Sequence, residues 1–357
     1  MKIAVVGGGI NGIMSARALA QAGHRVVVFE RDQIMRATSS RSTKLLHGGL
    51  RYLEHGHFGL VREALTERLW WIENAPDLAR RIELVLPIYR RSLRPRWKIG
   101  LGLTAYDYLA GRSNLGSHRW RCREELMELC PELKAEGLVG GFTFYDGQMN
   151  DYQLGMWAAQ AAVSMGVEIL DRTSVDAISL NGQVRSEGQT MAYDAVVNVA
   201  GPWAEQLLER SGIRTAFGLD FVRGSHLLLD QTISRGYLIE VPGEQRICFV
   251  LPYEGKTLLG TTEVVQELDE PVQCAGAERS YLLAVYNHYF APEINPSKIV
   301  DEFSGVRPLI RSRHPSSRAS REYVIESKGK LINVFGGKWT TARSLGIKVA
   351  KVVENIT

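Results

Sequence analysis

Apolar and polar positions along the first thirty residues follow the order strand, helix, strand. An apolar run ends at Val6 and leads into the glycine-rich stretch Gly7–Gly12, after which apolar residues recur at helical spacing. A second apolar run, Val26–Phe29, ends at Glu30. This order predicts a βαβ unit in which a glycine turn opens the helix and an acid closes the second strand.

The same reading of the remaining chain predicts further helices and strands. Between positions 217 and 262, short apolar runs separated by turns such as Glu254–Lys256 predict an antiparallel sheet. Helices are predicted at Phe58–Asn74, Tyr152–Met165, Trp203–Ser211, Glu278–Phe290 and about Trp339–Ile356, and isolated strands at Val167–Leu170, Asp194–Val199 and Leu331–Phe335.

This arrangement predicts an α/β fold with an α+β substrate lobe. The glycine motif lies near the N-terminus, and a strand, a glycine pair and a helix return at the end of the chain. We therefore expect one Rossmann-like nucleotide-binding domain assembled from residues 1–70, 140–215 and 300–357. A substrate-binding domain with an antiparallel sheet, formed by 71–139 and 216–299, is inserted in it. Two sequential domains fit less well, because no linker-like stretch divides the chain.

The chemistry of the glycine motif points to a dinucleotide. Gly7 permits a tight turn, Gly9 lets the backbone approach a pyrophosphate, and Gly12 lets helix and strand pack closely. Free N–H groups and the helix dipole then favour a diphosphate at the helix start. Glu30 is placed to accept hydrogen bonds from a ribose. A glycine turn in an ordinary α/β domain is the alternative.

Composition narrows the class of protein further. The chain has 357 residues, of which 45% are hydrophobic and 23% charged, and its net charge of +4 does not by itself suggest nucleic acid. No apolar run is long enough to span a bilayer, and glycines interrupt the first one, which argues against a signal peptide. The cysteines have neither metal-like nor redox-like spacing, which predicts reduced thiols, no metal site and a cytoplasmic location.

The charge is unevenly distributed along the chain. Arg90–Arg123 contains nine Arg or Lys residues and one acid, Asp107, with aromatic and aliphatic residues such as Trp97, Leu101 and Tyr108 between them. Such a mixture suits an anionic membrane surface, which would make the protein peripheral on the cytoplasmic face of an inner membrane. A solvated basic face is the equally open alternative.

Three cations beside glycines are candidate ligands for a phosphate. Arg51 follows Gly48–Gly49 and precedes Tyr52, Arg307 follows Gly305, and Lys338 follows Gly336–Gly337. A phosphate needs cations that converge, with arginine as a fork and lysine as a point charge. We expect the last glycine pair to open the final helix, whose N-terminus would help Lys338 stabilise negative charge.

His226 is a candidate general base, since a histidine titrates near neutral pH. A structural histidine is the competing interpretation. The loop Thr38–Lys44, which is rich in hydroxyl groups, also has two interpretations. Its side chains can form hydrogen bonds to a phosphate or to the edge of a cofactor ring, or they can stabilise turns within the loop itself.

Several stretches together resemble the FAD-dependent (aerobic, respiratory) glycerol-3-phosphate dehydrogenases of the D-amino-acid oxidase-like flavoprotein superfamily. They occur in family order from end to end of the chain. The stretches are Gly7–Gly12 with Glu30, Ala37–Ser40, Lys44–Glu54, Asn198–Trp203, Arg223–His226, Gly260–Glu263, Gly305–Leu309 and Phe335–Thr341.

The resemblance implies a non-covalent FAD and oxidation of sn-glycerol 3-phosphate to dihydroxyacetone phosphate, by hydride transfer to flavin N5 and with a quinone as electron acceptor. Arg51, Arg307 and Lys338 would hold the substrate, with Tyr52 and His226 in the same pocket; His226, Arg307 and Lys338 would be catalytic. The implied cofactor contacts are Gly7, Gly9, Ile10, Asn11, Gly12, Glu30, Arg31, Thr38, Ser39, Ser40, Thr43, Lys44, Leu45, His47, Gly48, Gly49, Val175, Ala200, Gly201, Trp203, Gly305, Arg307, Gly336, Gly337, Lys338, Trp339 and Thr340.

Members of this family usually carry a further helical domain after the nucleotide-binding half, and this sequence stops at Thr357. We therefore expect a short form without it. Three other functions are considered. The first is a related oxidase or dehydrogenase for an amino acid or a 2-hydroxy acid. The second is a regulatory or tRNA-modifying flavoprotein, and the third is an NAD-dependent dehydrogenase.

Overall fold

The computed structural model describes residues 1–312 and 323–356. In chain order, the strands are β1 (Lys2–Val6), β2 (Arg25–Phe29), β3 (Leu45–Leu46), β4 (Ala79–Tyr89), β5 (Arg119–Cys122), β6 (Leu138–Met149), β7 (Glu168–Leu170), β8 (Val175–Ile178), β9 (Gln183–Ser186), β10 (Gln189–Ala192), β11 (Ala195–Asn198), β12 (Phe217–Leu229), β13 (Gly236–Glu240), β14 (Ile247–Tyr253), β15 (Lys256–Gly260), β16 (Val264–Val265), β17 (Ile299–Ser312), β18 (Tyr323–Lys328) and β19 (Leu331–Gly336). The helices are α1 (Ile10–Gln21), α2 (Phe58–Asn74), α3 (Arg96–Ala110), α4 (Arg123–Leu129), α5 (Asp151–Val163), α6 (Ala204–Arg210), α7 (Gly276–Tyr289) and α8 (Ala342–Glu354).

A six-stranded sheet has the order β18-β19-β11-β1-β2-β7, and only β18 runs antiparallel to its neighbour. Its strands are apolar on both sides because both faces are covered. Ile3 and Val5 of β1 pack with α1, α5 and α8, while Ala4 and Val6 pack with α6 and the small antiparallel sheet β10-β9-β8. The chain therefore builds a doubly wound layer of the Rossmann type.

The carboxyl ends of these parallel strands meet at one edge. The strand order reverses at β1, because β2 lies on one side of it and β11 on the other. Gly7, Glu30, Val199 and Gly337 directly follow β1, β2, β11 and β19. Ligands of open α/β sheets bind at such an edge, so residues far apart in the sequence converge where a dinucleotide is expected.

The second large sheet has the order β16-β12-β15-β14-β13-β4-β6-β3, with β17 added along β12 and β5 along β6. All of its pairings are antiparallel except β13 with β4. Helices α2 and α3 cover one face, through buried residues such as Leu65 and Leu103, and α4 and α7 cover the other. This sheet forms the second lobe, and it faces the glycine edge through β12 and β17.

Most of the predicted elements are confirmed. Helix α2 has the predicted bounds, and the antiparallel strands between 217 and 262 are present. The start predicted for the last helix was wrong: α8 begins at Ala342, so Gly336–Gly337 forms a turn ahead of it and no helix N-terminus adjoins Lys338. Within this turn both glycines have positive φ, which residues with side chains rarely adopt.

The predicted domain boundaries do not follow the sheets. Strand β6 belongs to the antiparallel sheet although 140–215 was assigned to the nucleotide-binding domain. Strand β17, from the segment 300–357, pairs along the whole of β12. Whether the predicted domain boundaries separate units that fold independently stays a prediction.

Candidate active site

The glycine turn is closed against neighbouring backbone. A Cβ on Gly7 would lie 2.6 Å from the carbonyl oxygen of Val199, and one on Gly12 would lie 1.9 Å from that of Gly7. A Cβ on Gly9 would sit 3.0 Å from the hydroxyl of Ser39. The turn therefore leaves the space above α1 to backbone N–H groups, as a diphosphate site requires.

The loop that follows the second strand lies over the start of α1. Ser39 Oγ accepts a hydrogen bond from the Ile10 N–H at 3.0 Å, and the Ser39 carbonyl accepts one from the Trp339 indole at 2.8 Å. Thr38 donates to the Val306 carbonyl at 3.0 Å. The neighbouring Ser40 bonds within the loop, to the carbonyl of residue 37. This loop thus joins the nucleotide edge to β17 and to the segment before α8.

Glu30 holds the glycine turn through hydrogen bonds to backbone N–H groups. Its carboxylate accepts hydrogen bonds from the N–H of Gly8 at 2.8 Å and of Asp32 at 3.0 Å. The guanidinium of Arg31 lies 3.8 Å from the centre of the Trp203 ring, over the same end of the sheet. Both predicted contacts, Arg31 and Trp203, therefore flank Glu30.

Other predicted cofactor residues line this edge to different extents. Ala200 and Gly201 follow β11 beside Gly7. Val175 is buried below the edge, in the small sheet, with Phe29 in the same cluster. A Cβ on Gly305 would be 2.7 Å from Arg41, which places Gly305 against the hydroxylated loop.

Asn11 provides an observation that favours a bound group. Its side-chain amide reaches the carbonyl of Gly336 at 3.5 Å, while its Oδ1 is buried without a hydrogen-bond partner among the described residues. A Cβ on Gly337 would lie 2.4 Å from the Asn11 amide nitrogen. A buried acceptor without a donor is costly, and together with the close-packed glycine turn it indicates a site shaped for a ligand with donors of its own.

The side chain of Lys44 is held within the protein by a buried acid. Its ammonium forms a buried ion pair with Asp151 at 2.6 Å and donates to the Ser40 carbonyl at 2.9 Å. Sequence reasoning missed Asp151. An acid in the first turn of a helix is already explained by its favourable interaction with the helix dipole, so its position gave no sign of a buried ion pair. The pair fixes the loop 38–44 against α5.

The Gly48–Gly49 stretch rests on a buried polar network. The Gly48 N–H donates to the Tyr106 hydroxyl at 2.8 Å, and that hydroxyl donates to Asp146 at 2.8 Å. Asp146 is in turn paired with Arg68 at 2.8 Å. Upstream, Leu45 is buried in β3, and the His47 N–H donates to Thr340 Oγ1 at 3.3 Å. The close approach predicted at Gly48 is therefore made in part by Tyr106.

Lys338, Tyr52, Arg307 and His226 lie close to one another between the two sheets. The Lys338 ammonium donates to the Tyr52 hydroxyl and lies 3.7 Å from the centre of its ring. Burial lowers the pKa of the Arg307 guanidinium, and the charge of Glu263 partly opposes this effect. Arg246 lowers that pKa further, and Tyr52 is close enough to raise it slightly. Two cations and a phenol thus face a common space.

His226 lies beside this group on β12 and is only 1% exposed. Burial lowers the pKa of its imidazole well below the usual value, and the positive charges of Arg307 and Lys44 lower it further. Its Nε2 lies 2.9 Å from the Thr43 hydroxyl, its ring stacks on Phe303, and its Nδ1 has no hydrogen-bond partner among the described residues. The ring is therefore neutral at neutral pH.

Arg51 stands apart from the other predicted cations. It lies in the short turn Leu50–His55, where its side chain is exposed. Within residues 1–312 and 323–356 it takes part in no hydrogen bond or ion pair. Its role in holding a substrate stays a prediction.

Sequence reasoning also missed Arg246, which is linked to Arg307 through Thr261. The Arg246 guanidinium donates to the Thr261 carbonyl at 3.0 Å, and Arg307 donates to the Thr261 hydroxyl at 3.1 Å. Arg246 is also paired with Glu263 at 3.1 Å. No sequence signal identifies it, because a lone arginine before a strand is usually a surface residue.

Comparisons with known proteins agree with this geometry. The family model for FAD-dependent oxidoreductases (DAO) matches residues 2–350. D-erythritol 1-phosphate dehydrogenase of Brucella abortus is 38% identical over 360 residues, and aerobic glycerol-3-phosphate dehydrogenase of Escherichia coli is 37% identical over 362; each alignment covers 96% of this chain and 71% of the relative. The glycerol-3-phosphate dehydrogenase of Bacillus halodurans, solved with FAD, has a TM-score of 0.80 at 26% identity and covers 99% of this chain.

The chain therefore belongs to the DAO family of FAD-dependent oxidoreductases. Within that family it is of the FAD-dependent glycerol-3-phosphate dehydrogenase type, as the resemblance of its motifs implied. FAD is its cofactor, and the glycine turn, the orphaned Asn11 oxygen and the adjacent donors fit that group. This chain spans 64% of the length of the Bacillus halodurans protein.

Two further findings concern metals and membranes. Among the residues that the structure describes, no group of three or more His, Cys, Asp or Glu side chains is arranged to hold a metal ion. In the same part of the chain, none of the helices combines the length and the apolar character needed to span a bilayer.

Proposed function

We propose that this protein oxidises the secondary hydroxyl of sn-glycerol 3-phosphate to give dihydroxyacetone phosphate. The observation that carries the proposal is the group formed by Arg307, Lys338 and Tyr52 next to a buried, neutral His226. The first three suit a phosphate dianion, and the fourth suits the proton of an alcohol. The names of the relatives support a phosphorylated polyol as substrate.

Arg307 and Lys338 have different roles in holding the phosphate. The guanidinium presents a planar fork for two phosphate oxygens, and the ammonium acts as a point charge. Tyr52, which already accepts from Lys338, keeps that ammonium directed towards the same space. Binding energy from the phosphate, which does not react, then positions the carbon that does.

His226 takes the hydroxyl proton in this proposal. With a proton on Nε2 donated to Thr43, the lone pair of Nδ1 is free to accept another. When bound, FAD supplies the two-electron acceptor for the hydride that leaves the carbon.

A His226→Gln enzyme should reduce its flavin at least about 100-fold more slowly with substrate, because positioned general bases typically contribute that much. In the unsubstituted enzyme the limiting rate at saturating substrate should stay constant as the pH falls through 6.5, since the pKa of His226 lies well below that value. Anaerobic stopped-flow absorbance measures both effects. His288→Gln, at an exposed position, is the matched control. An unchanged rate in His226→Gln would remove His226 as the base.

The function itself is tested by anaerobic bleaching of the bound flavin. Glycerol 3-phosphate should bleach it rapidly, whereas glycerol and lactate should not, because neither carries a phosphate for Arg307 and Lys338. Bleaching by lactate at an equal rate, with peroxide formed in air, would instead identify an oxidase of 2-hydroxy acids.

D-erythritol 1-phosphate is the second candidate substrate, because the dehydrogenase named for it is as similar to this chain as those named for glycerol 3-phosphate. It has the same phosphate and one more hydroxymethylene group. The ratio of kcat/KM for the two compounds, measured with one artificial acceptor, assigns the substrate.

We further propose a quinone as the electron acceptor and a peripheral membrane location for the protein. The support is on α3, where Trp97 is 71% exposed, Leu101 66% and Tyr108 85%. Their spacing puts all three on one side of the helix. Exposed Arg90, Arg91 and Arg112 lie on neighbouring segments. This combination suits anionic lipid.

A Trp97→Ser/Leu101→Ser enzyme should bind anionic vesicles at least about tenfold more weakly than the unsubstituted protein, because full burial of each side chain is worth about 1.5–3 kcal/mol. Cosedimentation with vesicles of phosphatidylglycerol measures the difference. The control is Val265→Ser, since Val265 is 80% exposed on a different edge. Equal binding by both variants would contradict membrane contact through α3.

A further inference from the structure

A small cavity lies away from the active site, between α1, α2 and α8. Its volume is about 170 Å³. Arg17 and Gln21 of α1, Trp70 and Asn74 of α2, and Arg343 of α8 contribute its polar and aromatic walls. Among the described residues no acid lines it, so its two cations are not balanced from within the cavity.

Arg17 is a partly buried cation without a counter-ion. Its Nε and Nη1 are buried and have no hydrogen-bond partner, and among the described residues no carboxylate pairs with its guanidinium. Burial lowers the pKa of Arg17, and the nearby positive charge of Arg343 lowers it further. Two N–H donors shielded from water and left without an acceptor are unfavourable.

The aromatic neighbours of Arg17 do not supply hydrogen-bond acceptors or a negative charge. Its guanidinium lies 5.2 Å from the centre of the Trp70 ring and 5.8 Å from that of Trp157, and Arg343 lies 4.8 Å from the Trp70 ring. A cation–ring contact is weaker than the penalty for burying an unpaired charge, and a ring offers no strong acceptor. The two guanidiniums therefore share Trp70 and repel each other.

Arg343 is already neutralised, so one positive charge remains. Its guanidinium makes two contacts with the Glu67 carboxylate, at 2.7 and 3.1 Å. Glu67 is buried and is fully engaged by that fork. An anion in the cavity would pair with the positive charge of Arg17 and would also contact the guanidinium of Arg343.

We propose that this cavity binds a phosphate group, either as inorganic phosphate or at the end of a small phosphomonoester. Two guanidiniums that converge on a space of this size suit a tetrahedral oxyanion, because each offers parallel N–H donors. The amides of Gln21 and Asn74 stand at the exposed rim and can donate as well. Met14 and Ala18 provide an apolar wall for a short ester chain.

Occupancy of the cavity would join the two helices that support the cofactor edge. Helix α1 starts at the glycine turn, and α8 follows Lys338 after a short turn. A bound phosphate would bridge Arg17 on the first to Arg343 on the second. We therefore expect it to raise the thermal stability of the FAD-loaded protein.

The test compares unfolding temperatures in phosphate and in chloride at equal ionic strength. The FAD-loaded full chain carries Arg307→Met, so that phosphate bound at the active site does not contribute. Phosphate should raise the unfolding temperature of this protein, and adding Arg17→Met should abolish the rise. Adding Arg62→Met instead, at an exposed position of α2, should leave the rise intact. An equal rise with and without Arg17 would overturn the proposal.

A second variant keeps the test decisive if Arg17→Met does not fold. Gln21→Glu places a carboxylate one turn from Arg17, at the i, i+4 spacing that favours an ion pair. It should place a negative charge beside the Arg17 guanidinium and abolish the phosphate response. A full phosphate response in Gln21→Glu would overturn the proposal. Methyl phosphate in place of phosphate distinguishes the two sources: a rise with both indicates a phosphomonoester site, and a rise with phosphate alone indicates the free ion.

Discussion

An Arg307→Met enzyme should show kcat/KM for glycerol 3-phosphate reduced by about 1000-fold. Two charge-assisted hydrogen bonds from one guanidinium to a phosphate contribute about 4 kcal/mol together, and each 1.4 kcal/mol is a factor of ten. The structure strengthens the expectation, because Arg307 is withdrawn from water and is oriented by Thr261. Both KM and kcat should suffer, since the clamp also positions the reacting carbon.

The matched control is Arg311→Met on the same strand. Arg311 pairs with Asp220 at 3.3 Å, and both side chains are more than half exposed, so its loss should change little. Arg307→Lys should recover part of the activity as a point charge. Initial rates with an artificial acceptor, together with the flavin content, give the comparison. If Arg307→Met were as active as Arg311→Met, the phosphate assignment would be wrong.

A Gly12→Ala protein should contain almost no FAD. The added Cβ would lie 1.9 Å from the carbonyl oxygen of Gly7, and backbone cannot move aside as a flexible side chain can. The glycine turn would then shift away from the position in which its N–H groups face the diphosphate. The ratio of flavin to protein absorbance after purification measures the loss.

Gly102→Ala is the control for a glycine that has room. Apart from the neighbouring residues and backbone of α3 itself, no described atom lies within 4 Å of the Cβ that would be added, so the change should retain FAD and stabilise the helix by about 0.5–1 kcal/mol. Thermal unfolding of both variants separates a general effect of the methyl group from the specific clash. A Gly12→Ala protein with a full complement of FAD would show that the turn does not hold the diphosphate.

The sequence was most informative where a signal is local. The Gly7–Gly12 motif with Glu30 predicted the nucleotide edge, and the spacing of apolar residues predicted α2 with its observed bounds. In both cases the physical cause lies within one element: steric room at a turn, or burial of one helical face. His226 was recognised as a candidate base from the chemistry of its side chain, but its burial within β12 was not predictable from the sequence.

The sequence was least informative about partners that are distant in the chain. The parallel pairing of β13 with β4 and the long ladder of β12 with β17 depend on tertiary packing. The ion pair of Lys44 with Asp151, and the link of Arg246 to Thr261, join separate segments in the same way. The late start of α8 reflects local hydrogen bonding: His47 and Trp71 bond to Thr340 and hold this segment before the helix begins.

Because Asn11 touches the carbonyl of Gly336 and Gly7 packs on Val199, the cofactor cradle joins the beginning of the chain to its last strand. On the ribosome, a nascent chain that lacks β19 has only half of that cradle. FAD can therefore be captured only after β19 has been synthesised and has left the exit tunnel. Retention of the yellow cofactor consequently reports that the chain has been synthesised and folded through β19, and chains that stop before this strand are left open to proteolysis.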